Sequence, residues 1–138
     1  MKKLLSFVLI LLLIFSITSC SGSFSLYKSG TQYLYGEKYS YKIHSLKESK
    51  NQSGVVNITF EDLEGNYVYD LYVKGYSYVS YTVEVKNQDL TVSVIESGEL
   101  LELPQGTIDV SLFSERFIHI VFSSELCKEA TIQFVLIK

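Results

Sequence analysis

The chain has no tryptophan, one proline (Pro104), one arginine (Arg116) and two cysteines in its 138 residues. Each scarcity excludes something. A single arginine and no run of lysines leave no basic patch, so nucleic acid is not a partner. The lack of tryptophan argues against an ordinary carbohydrate-stacking platform. Catalytic signatures are missing too. There is no G-x-S-x-G elbow, no glycine-rich phosphate loop, and no Ser-His-Asp set that spacing singles out. The only histidines, His44 and His119, have no Cys or second His at metal-ligand spacing. Neither an enzyme nor a cofactor or metal site is expected.

What is present begins with Lys2 and Lys3, followed by an apolar run from Leu4 to Phe15 broken only by Ser6. Ile17-Thr18-Ser19-Cys20 then closes it. A positive start, an apolar core and a small-residue cleavage site are the parts of a secretory signal. The run is too short for a spanning helix, which needs about 20 apolar residues. With a cysteine directly after the small residues, the segment resembles the lipobox leader of bacterial lipoproteins. That resemblance covers residues 1–20 alone, and no family is recognised for the rest. It implies removal of residues 1–19 and acylation of Cys20, which tethers the mature chain to a membrane outside the cytoplasm. Two acyl chains hold far more firmly than one. In a bacterium with two membranes, Ser21 in place of a retaining aspartate implies sorting to the outer membrane. Residues 20–30, rich in Ser and Gly, read as the lipidated cysteine and a flexible tether.

Losing the leader with its two lysines takes the formal charge from −3 to −5. A mildly acidic domain gains little from anionic lipid, so the lipid on Cys20 does the anchoring. With Cys20 acylated, Cys127 has no intrachain partner, and a disulfide framework is excluded. Cys127 is expected to be a small, half-buried filler near a strand end.

Residues 31–138 carry a two-residue period. Val56, Ile58 and Phe60 share one face, and residues 79–86 alternate strictly between apolar and polar. Residues 90–94, 108–112 and 132–136 repeat the pattern, while 117–122 is apolar on both faces except for His119. Glu64-Gly65-Asn66, Lys74-Gly75, Asn87-Gln88-Asp89, Ser97-Gly98 and Pro104-Gln105-Gly106 read as turns. Lys47–Ser53 reads as an exposed loop, and 124–129 as a short helical turn. About eight strands at this spacing predict a single all-β domain, an antiparallel β-sandwich of immunoglobulin-like or jelly-roll type.

All eleven tyrosines fall between Tyr27 and Tyr81. Tyrosine suits strands, and its apolar face with a polar tip also suits a surface that binds while staying soluble. The alternation puts Tyr67, Tyr69 and Leu71 on one face and Tyr72 on the other. Tyr72, Tyr76 and Tyr78 are the candidate binding surface. Glu61, Asp62 and Glu64 gather oxygens about a turn, read as a solvated hairpin rather than a calcium loop. Glu96, Glu99 and Glu102 form a second acidic set, read as surface. The expected function is a non-enzymatic binding or interaction module of the cell envelope, meeting an envelope protein or glycan. A structural part of an envelope complex, joined by strand addition, is the alternative, as is an inhibitor of a toxin or lytic enzyme.

Overall fold

The computed structural model describes residues 27–86, 90–96, 98–103, 106–111, 113 and 116–138. The leader, Cys20 and residues 21–26 of the tether lie outside that set. Nine strands make the described chain all-β and antiparallel: β1 (Tyr27–Leu34), β2 (Glu37–His44), β3 (Lys47–Lys50), β4 (Val55–Tyr72), β5 (Tyr78–Val85), β6 (Thr91–Glu96), β7 (Glu99–Glu102), β8 (Gly106–Asp109) and β9 (Phe117–Ile137). No described helix is long and apolar enough to cross a membrane.

The strands belong to one sheet, and two of them are long enough to serve both layers of the sandwich. Residues 55–60 of β4 pair with 130–135 of β9, flanked by β3 on one side and by β5 and β8 on the other. Farther along, residues 62–72 of β4 pair with 117–128 of β9, flanked by the β1–β2 hairpin and by β6 and β7. The two stretches face each other across a common core. Phe122, in the second stretch, has its ring 6.4 Å from those of both Phe60 and Phe134 in the first. Tyr69 stacks 6.3 Å from Phe122 and 6.4 Å from Phe134. Its hydroxyl donates to Glu48 of β3 at 2.7 Å. Each fully buried Phe, Leu or Ile here contributes about 1.5–3 kcal/mol by leaving water. Ile43, Ile58, Leu63, Ile120, Ile132 and Phe134 are all fully buried.

Several expectations need correction. Glu64-Gly65-Asn66 does not turn the chain. The pairing register shifts between Leu63 and Gly65, where Glu64 alone lies opposite Glu125 and Leu126, so the site is a bulge in the β4–β9 ladder with its extra residue on β9, and Gly65 takes φ +91° facing it. The glycine does mark positive φ, but in a bulge rather than a turn. Residues 124–129 form no helical turn and continue β9 through the register shift, and Glu129, between the pairs Ala130–Phe60 and Lys128–Asp62, takes φ 47°. Lys47–Lys50, expected in a loop, is an edge strand whose charged exposed side chains hide its pairing with β4. Residues 27–30, expected in the tether, already belong to β1. Cys127 is neither half-buried nor terminal. It is fully buried in the core opposite Leu63, and burial pushes its thiol pKa up.

A second apolar cluster forms on the outer face of the second layer. The β1–β2 hairpin turns at Tyr35 and Gly36, both at positive φ, the backbone of a two-residue hairpin turn. Beyond its pairing with β4 it curls across the sheet, so that Leu34 and Tyr39 pack on Val68, Ile95 and Val121. The Gln32 carboxamide bonds both backbone groups of Val68, donating to the carbonyl and accepting from the N–H, each at 2.8 Å. A side chain thereby does what a neighbouring strand would do. Gly65 permits the crossing, because a Cβ there would lie 2.3 Å from the Ser40 carbonyl oxygen.

Substituting Gly65→Ala is therefore expected to cost more than about 2 kcal/mol, combining left-handed strain with a backbone clash. Gly36→Ala, at φ +81° in open space, is expected to cost about 1 kcal/mol. Urea titrations followed by circular dichroism would separate the two, and faster exchange of the Val68 amide in the Gly65 variant would locate the damage.

The buried phenols set an alkaline limit. Burial, then the bond to Glu48, raises the Tyr69 pKa far above tyrosine's usual 10.0. Burial also raises Tyr39, Tyr67 and Tyr81. A group with a raised folded pKa contributes its full stability below its unfolded value and loses it as pH climbs towards the folded one. The melting temperature is expected to hold up to about pH 9, where unfolded thiols and phenols begin to ionise, and to fall steadily above it. Tyr69→Phe would flatten part of that fall.

Candidate functional site

At the end of the sandwich away from the bulge, two short connections meet. One joins β4 to β5 through residues 73–77, and the other joins β8 to β9 around Val110, Ser111, Phe113 and Arg116. Backbone bonds lace them together. The Val73 N–H donates to the Arg116 carbonyl at 2.8 Å, continuing the β4–β9 ladder by one residue. Tyr76 closes a turn on Val73 at 3.1 Å, and Val110 donates to Ser77 at 2.9 Å. The cleft between them encloses about 390 Å³, within the size range of small-molecule sites. Two smaller hollows lie elsewhere. One of about 320 Å³ lies between the β1–β2 hairpin and β7, and one of about 270 Å³ lies beside Glu129.

Apolar and charged residues line the cleft together. Val73 and Val110 are buried, Tyr76 and Phe113 are half-buried against the main core, and Lys74 and Arg116 are exposed. Among the described residues neither cation has a carboxylate within salt-bridge distance. The loop's own acid, Asp109, accepts instead from the backbone N–H and hydroxyl of Ser111. Gly75, at φ +87° with nothing within 4 Å of where a Cβ would stand, leaves the mouth open.

The three tyrosines singled out from the sequence gather about this end without forming one platform. Tyr76 is a wall of the cleft. Tyr72 points out of the second layer, 39 % exposed, with its ring 5.2 Å from Phe117 in an edge contact and the Lys50 ammonium 5.7 Å above it. Tyr78 points out of the first layer, where it lies opposite Ile137 and Asp109. Buried Leu71 and Val79 fix these opposite directions by alternation. Sequence reasoning misses Phe117 as the partner of Tyr72, and misses that Lys74 and Arg116 line one cleft. Nothing local signals either, because both arise from the register of β4 on β9.

Next to Phe117 on the same face lies a contact between His119 and Asp70, Nδ1 to Oδ1 at 2.6 Å, with the Tyr35 ring edge 6.1 Å from the imidazole. His119 faces away from buried Ile118 and Ile120, as alternation predicts. It holds the hairpin tip against the sheet. A second polar group marks the opposite end, beside the bulge. Tyr27 stacks on His44 with ring centroids 4.6 Å apart, and His44 Nδ1 lies 2.9 Å from Glu61 and 3.4 Å from Asp62. Lys128 donates to Asp62, and that bond raises the lysine's pKa. Glu61 and Asp62, read as hairpin-turn acids, are thus neighbours of His44 on a continuous strand. Among the described residues no three His, Cys, Asp or Glu side chains converge on an ion position. Glu99 and Glu102 are exposed on β7.

No protein-family model and no curated protein matches the chain. A crystal structure from Salmonella typhimurium, of a protein described as a putative ethanolamine utilization protein Q, aligns over 81 % of this chain and 95 % of its own, at 11 % identity and a TM-score of 0.34. Likeness at that level carries no argument about fold or function.

The burial difference among the tyrosines yields a direct test. Tyr76→Ala is expected to destabilise by about 2 kcal/mol, roughly half the cost of emptying a full aromatic core site. Tyr78→Ala, on the open face, is expected to stay within about 0.5 kcal/mol. Thermal and urea unfolding of the two variants would check both values.

Proposed function

We propose that this chain is a lipid-tethered, non-enzymatic binding module of the bacterial cell envelope, and that it takes its ligand in the cleft between residues 73–77 and Val110, Ser111, Phe113 and Arg116. The tether follows from the leader and Cys20. The observation that carries the ligand site is a cleft at a loop end of the sandwich, lined by Val73, Tyr76, Val110 and Phe113 together with exposed Lys74 and Arg116.

Its position in the fold supports the same reading. β1 begins at Tyr27, opposite His44, which in turn lies opposite Asp62 near the bulge. The cleft lies past Tyr72 at the far end of β4. Ten residues of strand at about 3.3 Å each separate the two ends by about 30 Å. A chain held at its start by lipid therefore presents the cleft away from the bilayer. The cleft lies among loops, where sandwich folds carry their binding surfaces.

A second reading, assembly into an envelope complex by strand addition, draws on β1. Among the described residues β1 pairs with β2 alone, leaving an eight-residue edge. Purification with one partner at fixed stoichiometry, lost on placing proline in β1, would favour it over the cleft.

Acylation is tested by expressing the full chain and its Cys20→Ala variant and separating membrane from soluble fractions. The native protein is expected in the membrane fraction, with an alkyne-palmitate label. The variant is expected without label. An unlabelled native protein with a free thiol at Cys20 would overturn the tether. Protein-observed magnetic resonance with a neutral and charged fragment library would test the cleft, with shifts expected at Tyr76 and Phe113. Hits confined to other surfaces would overturn it.

A further inference from the structure

We infer that the outer face of the first layer binds a neutral glycan chain laid along its strands, held by hydroxyls and amides rather than by charge. That face shares no residue with the cleft. Its make-up follows from register. Ile58, Phe60, Ile132, Phe134, Val79 and Tyr81 are buried in the core, so alternation turns Asn57, Thr59, Thr131, Gln133, Ser80 and Thr82 outward. Ladder partners set these in rows across β3, β4, β9 and β5. One row reads Lys47, Thr59, Thr131, Glu84, the next Ser49, Asn57, Gln133, Thr82, and the next Val55, Val135, Ser80. Tyr78 and Ile137 close the far end side by side. The two central rows hold no charge, and Ser49, Thr82, Thr131, Tyr78 and Ile137 are exposed. The second layer's outer face differs. It carries Lys42, Glu64, Asp62, Lys128, Asp70 and His119, and the β1–β2 hairpin packs on part of it.

Charge complementarity decides the ligand class. An ion laid on the central rows gives up hydration and meets no counter-charge, whereas a polyol meets donors and acceptors that match its own. The amides are already set. Gln133 Nε2 donates to Asn57 Oδ1 at 2.9 Å, which fixes both planes and leaves Gln133 Oε1 to accept and Asn57 Nδ2 to donate. Stacking is the lesser part, in keeping with the lack of tryptophan, and falls to the exposed Tyr78 ring beside Ile137. At the opposite end Thr59 and Thr131 also line the hollow of about 270 Å³, with Ser45, Glu61 and Glu129 beside them. His44 meets Glu61 and Lys86 meets Glu129. Each carboxylate offers about four lone-pair sites, so both still accept from a sugar hydroxyl. A chain end thereby gains a polar seat. Size argues against a second protein as the occupant. Four strands about 4.8 Å apart, with rows spread over about 20 Å, give roughly 400 Å². That is about half the area, about 800 Å², that each partner buries in a stable protein pair.

The test titrates the full chain, in micelles of the non-glycosidic detergent dodecylphosphocholine, with cellotetraose, maltotetraose, mannotetraose and chitotetraose. Tetrasaccharides of glucosamine and of galacturonic acid are the charged counterparts. Chemical-shift mapping reads site and affinity together. At least one neutral tetrasaccharide is expected to shift Asn57, Thr82 and Gln133 and to bind about ten-fold more tightly than either charged one. Its affinity is expected to stay level between about 0.05 and 0.5 M salt, since no ion pair forms. Removing both amides together, Asn57→Ala with Gln133→Ala, is expected to lower affinity about ten-fold. Thr82→Ala, a substitution at an exposed position, is expected to lower it about three-fold with an unchanged melting temperature, and it decides the matter if the double variant does not fold. No neutral tetrasaccharide binding, a charged one binding as tightly as the best neutral one, or affinity unchanged in both variants would overturn the face as a glycan site. Shifts confined to Tyr76 and Phe113 would overturn it and leave the cleft as the ligand site. Self-association abolished by Thr82→Lys, with no tetrasaccharide bound, would overturn it in favour of a second copy of the chain.

Discussion

The ladder between β4 and β9 is the constraint on which the rest of the structure depends. It runs from residues 55 to 72 on one strand and from 117 to 135 on the other, and both layers of the sandwich are built outward from it. A flat pair of that length would expose one face of every strand. The bulge at Gly65 and the positive φ of Glu129 bend the pair in its middle, so the two stretches close on each other over Phe60, Phe122 and Phe134. The hydrophobic gain is collected in the core, but the geometry that allows it resides in the backbone of both strands at Gly65 and Glu129. Cys127 and Leu63, buried opposite each other beside that bend, fill the space the bulge creates.

The same bend organises the two ends of the molecule. Near it the start of β1, the Tyr27–His44 stack and the Asp62–Lys128 pair form a polar row across four strands. At the far end the ladder runs out, and the chain must connect the layers by loops, which is where a cleft opens. The β1–β2 hairpin bridges the interval. It cannot pair along all of β4, because it crosses the strand at Gly65, so its apolar residues find a second cluster on the outer face and Gln32 supplies the missing backbone partner of Val68. That arrangement explains why tyrosine is concentrated in the first half of the mature chain. Tyr39 and Tyr41 lie where the hairpin meets the sheet, with Tyr41 covering Gly30 and packing edge-on against Tyr67 at 4.9 Å, and amphipathic rings suit surfaces buried only in part.

Much of the strand content is legible in the sequence because alternation is a local property. Val56–Ile58–Phe60, Tyr67–Tyr69–Leu71 and Val79–Tyr81 face the core as their spacing requires. Sequence and structure part where one local signal serves two structures. A glycine between polar residues, as in Glu64-Gly65-Asn66, marks positive φ equally in a hairpin turn and in a bulge, and only the partner strand decides between them. The charged segment Lys47–Lys50 looks like loop because an edge strand faces water. Of the candidate site, Tyr76 and the Lys74-Gly75 turn are legible. The union of Lys74 with Arg116, 42 positions away, is invisible until β4 and β9 are aligned.

By itself the sequence determined an all-β chain with antiparallel strands, an acidic surface, a leader resembling the lipoprotein type and a shortage of catalytic groups. These follow from composition and from contacts within a few residues, which no partner strand can alter. Tertiary structure alone decided that two pairs of expected strands are single strands bent at a bulge, that Cys127 lies at the heart of the core, and that two distant cations share one cleft. Those outcomes depend on register between segments far apart in the chain, and register is set by the packing of whole faces rather than by any residue's own preference.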